Sequence, residues 1–103
     1  VFTEEAPMKS RHELEKVFAR ITDHSEMIAF FEEIFTPKEI KDLTLRWQLL
    51  KELHEKQPQR SIAAKHGISL CKITRGSKIL KKKNSITRKI LDSLPEHAAK
   101  KQG

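Results

Sequence analysis

The sequence predicts an all-α protein of six helices, and three observations carry that reading. Apolar residues recur three and four apart rather than two. Helix-start signals stand ahead of several of these stripes. No alternating apolar–polar run of the kind a strand needs survives beside them. At 103 residues the chain suits one domain with a modest core. No apolar run approaches the ~18 residues of a membrane span. No signal-peptide pattern opens the chain, and Val1 in place of Met suggests a trimmed start. A single Cys71 excludes an intrachain disulfide and a Cys-rich metal framework, as expected of a reducing cytoplasm.

Residues 1–9 carry Pro7 and no periodicity, which predicts a loose arm. A single helical domain is expected over 10–94, with a frayed tail over 95–103. Ser10 and Glu13 have the spacing of a capping box ahead of Leu14, Val17, Phe18 and Ile21. Asp23 and Glu26 repeat the signal ahead of Met27, Phe30, Phe31 and Ile34. The clearest boundary is Thr36-Pro37-Lys38-Glu39: Thr caps, Pro takes the first helical position where its missing N–H costs nothing, and Glu39 reaches back. Phe35, just before that cap, is placed to staple against Leu43 or its neighbours.

The helix expected from Pro37 to about Glu55 has Ile40, Leu43, Trp47 and Leu50 on one side and Leu45, Leu49 and Leu53 on another. So wide an apolar arc predicts contact on two sides, as in an intertwined homodimer; a central helix of a monomeric bundle is the alternative. Pro58 opens a short helix ending at Gly67, and a second runs from about Leu70 to Lys82. Asn84 or Ser85 caps the last, whose apolar side is Ile86, Ile90, Leu91 and Leu94 and whose stop is Pro95.

Charge divides the chain unevenly. Residues 1–55 hold 12 acids and 8 bases, whereas residues 56–91 hold 11 bases and no acid. A stretch of +11 without one carboxylate points to a polyanion; a merely solvated face usually carries acids among its bases. Within it, the short helix, the turn at Gly67 and the helix from Leu70 have a helix-turn-helix layout. Ala63 is small where the helices must approach, Gly67 allows a left-handed turn, and Ile62, Ile68 and Ile73 are spaced to pack the pair.

Position then suggests roles toward double-stranded DNA. Gln59 and Arg60 start the first helix, where they can meet phosphate. Leu70, Cys71 and Lys72 lie in the first turn of the second helix, nearest base edges, with Thr74 next. Lys72 suits guanine, and Leu70 and Cys71 suit thymine methyls; for Cys71 a buried thiol is the competing reading. The Lys81-Lys82-Lys83 run suits phosphate. Gly76 lies inside a strong helical pattern, at a cost of ~1 kcal/mol relative to Ala. A vacancy there would admit a backbone or small ligand and set Arg75 toward a carboxylate. A harmless helix-weakening glycine is the other possibility.

With these residues in view the sequence resembles the Trp repressor family over roughly residues 23–92. The residues carrying the resemblance are Leu43 and Arg46 behind the Thr36-Pro37-x-Glu39 cap, Gln59-Arg60, Gly67, Ile73-Thr74-Arg75-Gly76-Ser77 and Leu80-Lys81. The resemblance implies an interlocked bacterial homodimer that binds L-tryptophan as co-repressor, and operator DNA, to control tryptophan biosynthesis or uptake. It implies that Arg46 and Arg75 flank the indole, with Arg75 also pairing the carboxylate. Gly76 would leave room for the ring, Thr36 would touch the carboxylate region, and carbonyls near Phe35 would accept from the ammonium. It places DNA contacts at Gln59, Arg60, Cys71, Lys72, Thr74, Arg75 and Lys81.

Two departures stand out. The family's serine for the ligand amino group is Ile79 here, and one residue is missing in the turn before Gln59. A ligand-independent DNA-binding regulator and a basic RNA-binding domain are the competing functions. The second lacks a pair of surface aromatics for base stacking. An enzyme is not expected, because His12, His24, His54, His66 and His97 show neither metal-ligand spacing nor a paired nucleophile.

Overall fold

The computed structural model describes residues 5–95, and within them there are six α-helices and no strand. They are α1 (Glu5–Arg20), α2 (His24–Ile34), α3 (Pro37–His54), α4 (Gln59–His66), α5 (Leu70–Lys81) and α6 (Ile86–Ser93). The beginning of the expected arm, residues 1–4, and most of the expected tail, residues 96–103, lie outside the described residues. The chain forms two units, one up to Ile40 and one from Lys41.

In the first unit α1 starts earlier than its capping pattern suggests. It begins at Glu5, so Ser10 and Glu13 sit inside the helix and the arm is shorter than expected. The reason is local: Glu5, Ala6, Met8 and Lys9 are good helix formers. Pro7 falls in the first turn, where its missing N–H has no intrahelical partner to lose. Asp23 caps α2, its Oδ2 accepting the Glu26 N–H at 2.9 Å. Aromatic rings join the two helices. Phe18 lies 5.3 Å from Phe30 and 6.1 Å from Phe31 between centroids, both edge-on. Phe35 packs on this cluster, 5.1 Å from Phe31. None of the described side chains up to Ile40 is fully buried.

The second unit has a dry centre. Leu49 of α3, Ile62 of α4 and Ile73 of α5 form it, with Leu45, Leu53, Ala63 and Ile68 packed around. Ile62 and Ile73 are 0 % exposed, each contributing on the order of 2 kcal/mol of burial. The α3 arc is only partly used: Leu49 and Leu50 are buried, while Leu43 and Trp47 stay 37 % and 39 % exposed. α3 ends in a turn with Lys56 in the left-handed region at φ 64°. There the Lys56 N–H reaches Leu53 O at 2.9 Å and the Gln57 N–H reaches Glu52 O at 3.1 Å. Ser85, not Asn84, caps α6, accepting the Arg88 N–H at 3.1 Å, while Asn84 makes the left-handed bend before it. An imidazole N–H to carboxylate contact of 2.7 Å, His54 Nε2 to Asp92 Oδ1, ties α6 to α3.

Candidate nucleic-acid interface

The α4–α5 pair is built by its turn. Gly67 sits at φ 61°, ψ 38°, which closes α4 with two reciprocal bonds: the Ile68 N–H reaches Ala63 O at 3.1 Å and the Gly67 N–H reaches Ala64 O at 3.4 Å. This turn feeds Ile68 back against Ala63 and the shared core, as the spacing of Ile62, Ile68 and Ile73 predicts. With Ile73 buried and Gly76, Ser77 and Leu80 half-buried, α5 has one inward face. Its other residues stand out in solvent: Leu70, Cys71, Lys72, Thr74, Arg75, Lys78, Ile79 and Lys81.

The DNA-contact candidates therefore gather on one helical pair. Arg60 is exposed and Gln59 half-buried in the first turn of α4. Cys71 is an exposed thiol, so the buried-thiol alternative does not hold. The Thr74 hydroxyl donates back to Leu70 O at 3.1 Å and keeps its acceptor lone pairs outward. Neither α4 nor α5 has a side-chain cap: Pro58 cannot supply one, and Ser69 makes no cap bond. The N–H groups of Gln59, Arg60 and Ser61 in α4 and of Leu70 and Cys71 in α5 make no hydrogen bond among the described residues, while that of Lys72 donates to Ser69 O at 3.2 Å; this is the region where the chain has no acid of its own.

Most of the bases are equally open. Of the eleven between Lys56 and Lys89, two are engaged among the described residues. Lys65 pairs Glu52 at 3.0 Å, and Arg88 Nη1 donates to Leu80 O at 3.0 Å at the end of α5. Arg60, Lys72, Arg75 and Lys81 have no ion pair there, so nothing internal neutralises this face.

The ligand-site candidates are placed differently. Arg46 on α3 and Arg75 on α5 are exposed and unpaired among the described residues. Thr36 Oγ1 accepts the Glu39 N–H at 3.1 Å while Glu39 Oε1 accepts the Thr36 N–H at 2.9 Å, so the hydroxyl proton stays available. Phe35 is part of the first unit's ring cluster. Ile79 is 36 % exposed. Gly76 corrects the expectation of a vacancy. A Cβ there would lie 2.9 Å from Leu53 Cδ1 and 3.6 Å from Leu50 Cδ2. The missing side chain lets α3 leucines close onto α5, and the space is already filled.

Glu52 escaped the sequence reading. It is 2 % exposed and accepts from Gln48 Nε2 at 2.7 Å, Lys65 Nζ at 3.0 Å and His66 Nε2 at 2.9 Å. Burial opposes its charge, but the bonds from Gln48, His66 and Lys65 outweigh it and hold the carboxyl at about 2. The one available signal was an acid three residues behind Leu49 on the turn facing α4.

No helix among the described residues is long and apolar enough to cross a membrane, and no group of three His, Cys, Asp or Glu among them could hold a metal ion. No curated protein and no solved structure matches the chain. The family model described as Trp repressor protein matches residues 9–95, nearly all that the structure describes. That family is regulatory rather than enzymatic. Extent of match, helical architecture and an open basic helix-turn-helix agree: the chain belongs to the Trp repressor family and is a DNA-binding transcriptional regulator.

Proposed function

We propose that the chain is a cytoplasmic repressor, working as an intertwined homodimer on double-stranded operator DNA with L-tryptophan as co-repressor. The observation that carries the reading is Arg75. Its guanidinium is exposed and without an internal partner, on the outward face of α5 and next to the one glycine of that helix. A guanidinium so placed suits a carboxylate, which it can meet with two parallel bonds. Arg46, equally free on α3, supplies a second planar cation for an indole face. The exposed Leu43 and Trp47 of α3, and a first unit in which none of the described side chains is buried, support burial against a second copy.

The switch is then a population shift. Ligand bound between α3 and α5 favours the arrangement in which the two reading helices of the dimer match successive major grooves, ~34 Å apart. Its effect is limited by its differential affinity for the two arrangements. Duplex binding titrated with L-tryptophan from none to saturation tests this: affinity should rise with ligand, and Arg75→Ala should abolish the rise. Affinity indifferent to ligand would establish the second reading, a ligand-independent regulator. Ile79 favours that reading, since an alkyl side chain cannot accept a bond from an ammonium. Calorimetry with L-tryptophan beside indole-3-propionate, which lacks the ammonium, separates loss of the ligand from a change in its class.

A further inference from the structure

We propose that Glu52 is a positioning residue for DNA binding, an anionic peg on α3 that sets the orientation of α4 and, through the Gly67 turn, of α5. The inference rests on the DNA-binding reading of the α4–α5 pair. α4 is eight residues long and has one buried side chain, Ile62. Ile62, with its small neighbour Ala63, sets how far α4 stands from α3, but apolar burial is non-directional and by itself defines the roll and tilt of so short a helix only loosely. The second attachment lies one turn further along the same side. Lys65 and His66, three and four residues after Ile62, both direct nitrogens to the carboxylate of Glu52, at 3.0 Å and 2.9 Å.

The carboxylate is itself held. Gln48, one turn earlier on α3, donates to it at 2.7 Å, and Lys65 Nζ is also held by Gln57 Oε1 at 3.2 Å. Glu52 is thus an acceptor of fixed direction, with donors from both helices and no buried polar side-chain atom left unsatisfied among the described residues. His66 is the last residue of α4 and Gly67 the αL residue that follows, so the peg acts immediately before the turn that aims α5. An orienting contact there governs whether Lys72, Thr74 and Arg75 meet base edges together, whereas the charge that holds any duplex does not depend on it.

The test uses the full chain in saturating L-tryptophan, with a duplex selected by the wild-type protein from a randomised pool and a scrambled duplex of equal length. Glu52→Gln keeps shape and removes the charge. Binding to the scrambled duplex should be unchanged or slightly tighter, and preference for the selected one should fall by about tenfold. His66→Gln, which keeps a donor near the Nε2 position, should retain the preference, and His66→Leu should lose it. Ile62→Val serves as the purely structural comparison: it lowers thermal stability and leaves the preference intact. A preference untouched in both Glu52→Gln and His66→Leu overturns the role of Glu52. A wild-type chain that prefers no duplex overturns the DNA-binding reading as well, so the two failures are distinct.

Discussion

The helices of this chain start in two different ways. α2, α3 and α6 are each closed at the N-terminus by a side chain: Asp23 on Glu26, Thr36 with Glu39, Ser85 on Arg88. α4 and α5, the helix-turn-helix pair, have no such bond. A cap contributes about 1 kcal/mol and occupies amides that would otherwise face outward. The uncapped pair forgoes that contribution, leaves most of its first-turn amides without a partner among the described residues, and is held from behind by Ile62, Ile73 and Glu52. α3 and α6 are held at their ends as well as by buried side chains, whereas the reading helices rely on their inner face alone.

That contrast makes the inner face the most sensitive place to strike. Ile73→Ala removes a fully buried side chain of α5 and should cost 2–5 kcal/mol, read as a lower urea midpoint at unchanged slope. A cost below ~1 kcal/mol would mean that the reading helices are stabilised elsewhere. Acid probes the polar half of the same face. The Glu52 carboxyl is held at about 2 against an ordinary 4.5, so its contribution is complete above about pH 4.5 and is lost as pH falls toward 2. The loss is on the order of 3 kcal/mol, seen in urea midpoints across that window and missing in Glu52→Gln.

The ends themselves give smaller effects. Thr36→Ala breaks the reciprocal pair with Glu39 and should cost about 1 kcal/mol in the same assay. Lys56→Gly should stabilise by about 0.5 kcal/mol, because it relieves a left-handed non-glycine residue in the turn that joins capped α3 to uncapped α4. Ser69→Ala should change stability by no more than a few tenths of a kcal/mol, since that serine makes no cap bond. A loss there equal to that of Thr36→Ala would erase the distinction between the two kinds of start.

Local signals were legible in proportion to their range. Thr36 with Glu39 and Asp23 with Glu26 are three residues apart; the first pair bonds reciprocally as its spacing predicts, and in the second Asp23 accepts the Glu26 N–H without a return bond among the described contacts. The Gly67 turn is equally local, and the inward face of the helix-turn-helix follows from periodicity alone. What stayed hidden depends on the register of one helix upon another. Glu52 and His66 are fourteen residues apart, and only the seating of α4 on α3 brings them within 2.9 Å. The space at Gly76 is of the same kind, since its filling by Leu53 is a property of the α3–α5 approach. The start of α1 misled for another reason: Ser10 has the capping pattern, but the good helix formers before it let the helix run on upstream.

The engagement of Lys65 and Arg88 has a consequence for the thermodynamics of association. Lys65 is already neutralised by the Glu52 carboxylate, whereas Arg88, held by the uncharged Leu80 carbonyl, keeps its full charge toward a duplex. Of the eleven bases between Lys56 and Lys89, ten therefore remain to displace condensed counterions. At about 0.9 ions released per neutralised phosphate, that limits the contribution of this stretch to the slope of log affinity against log salt to about 9 per chain.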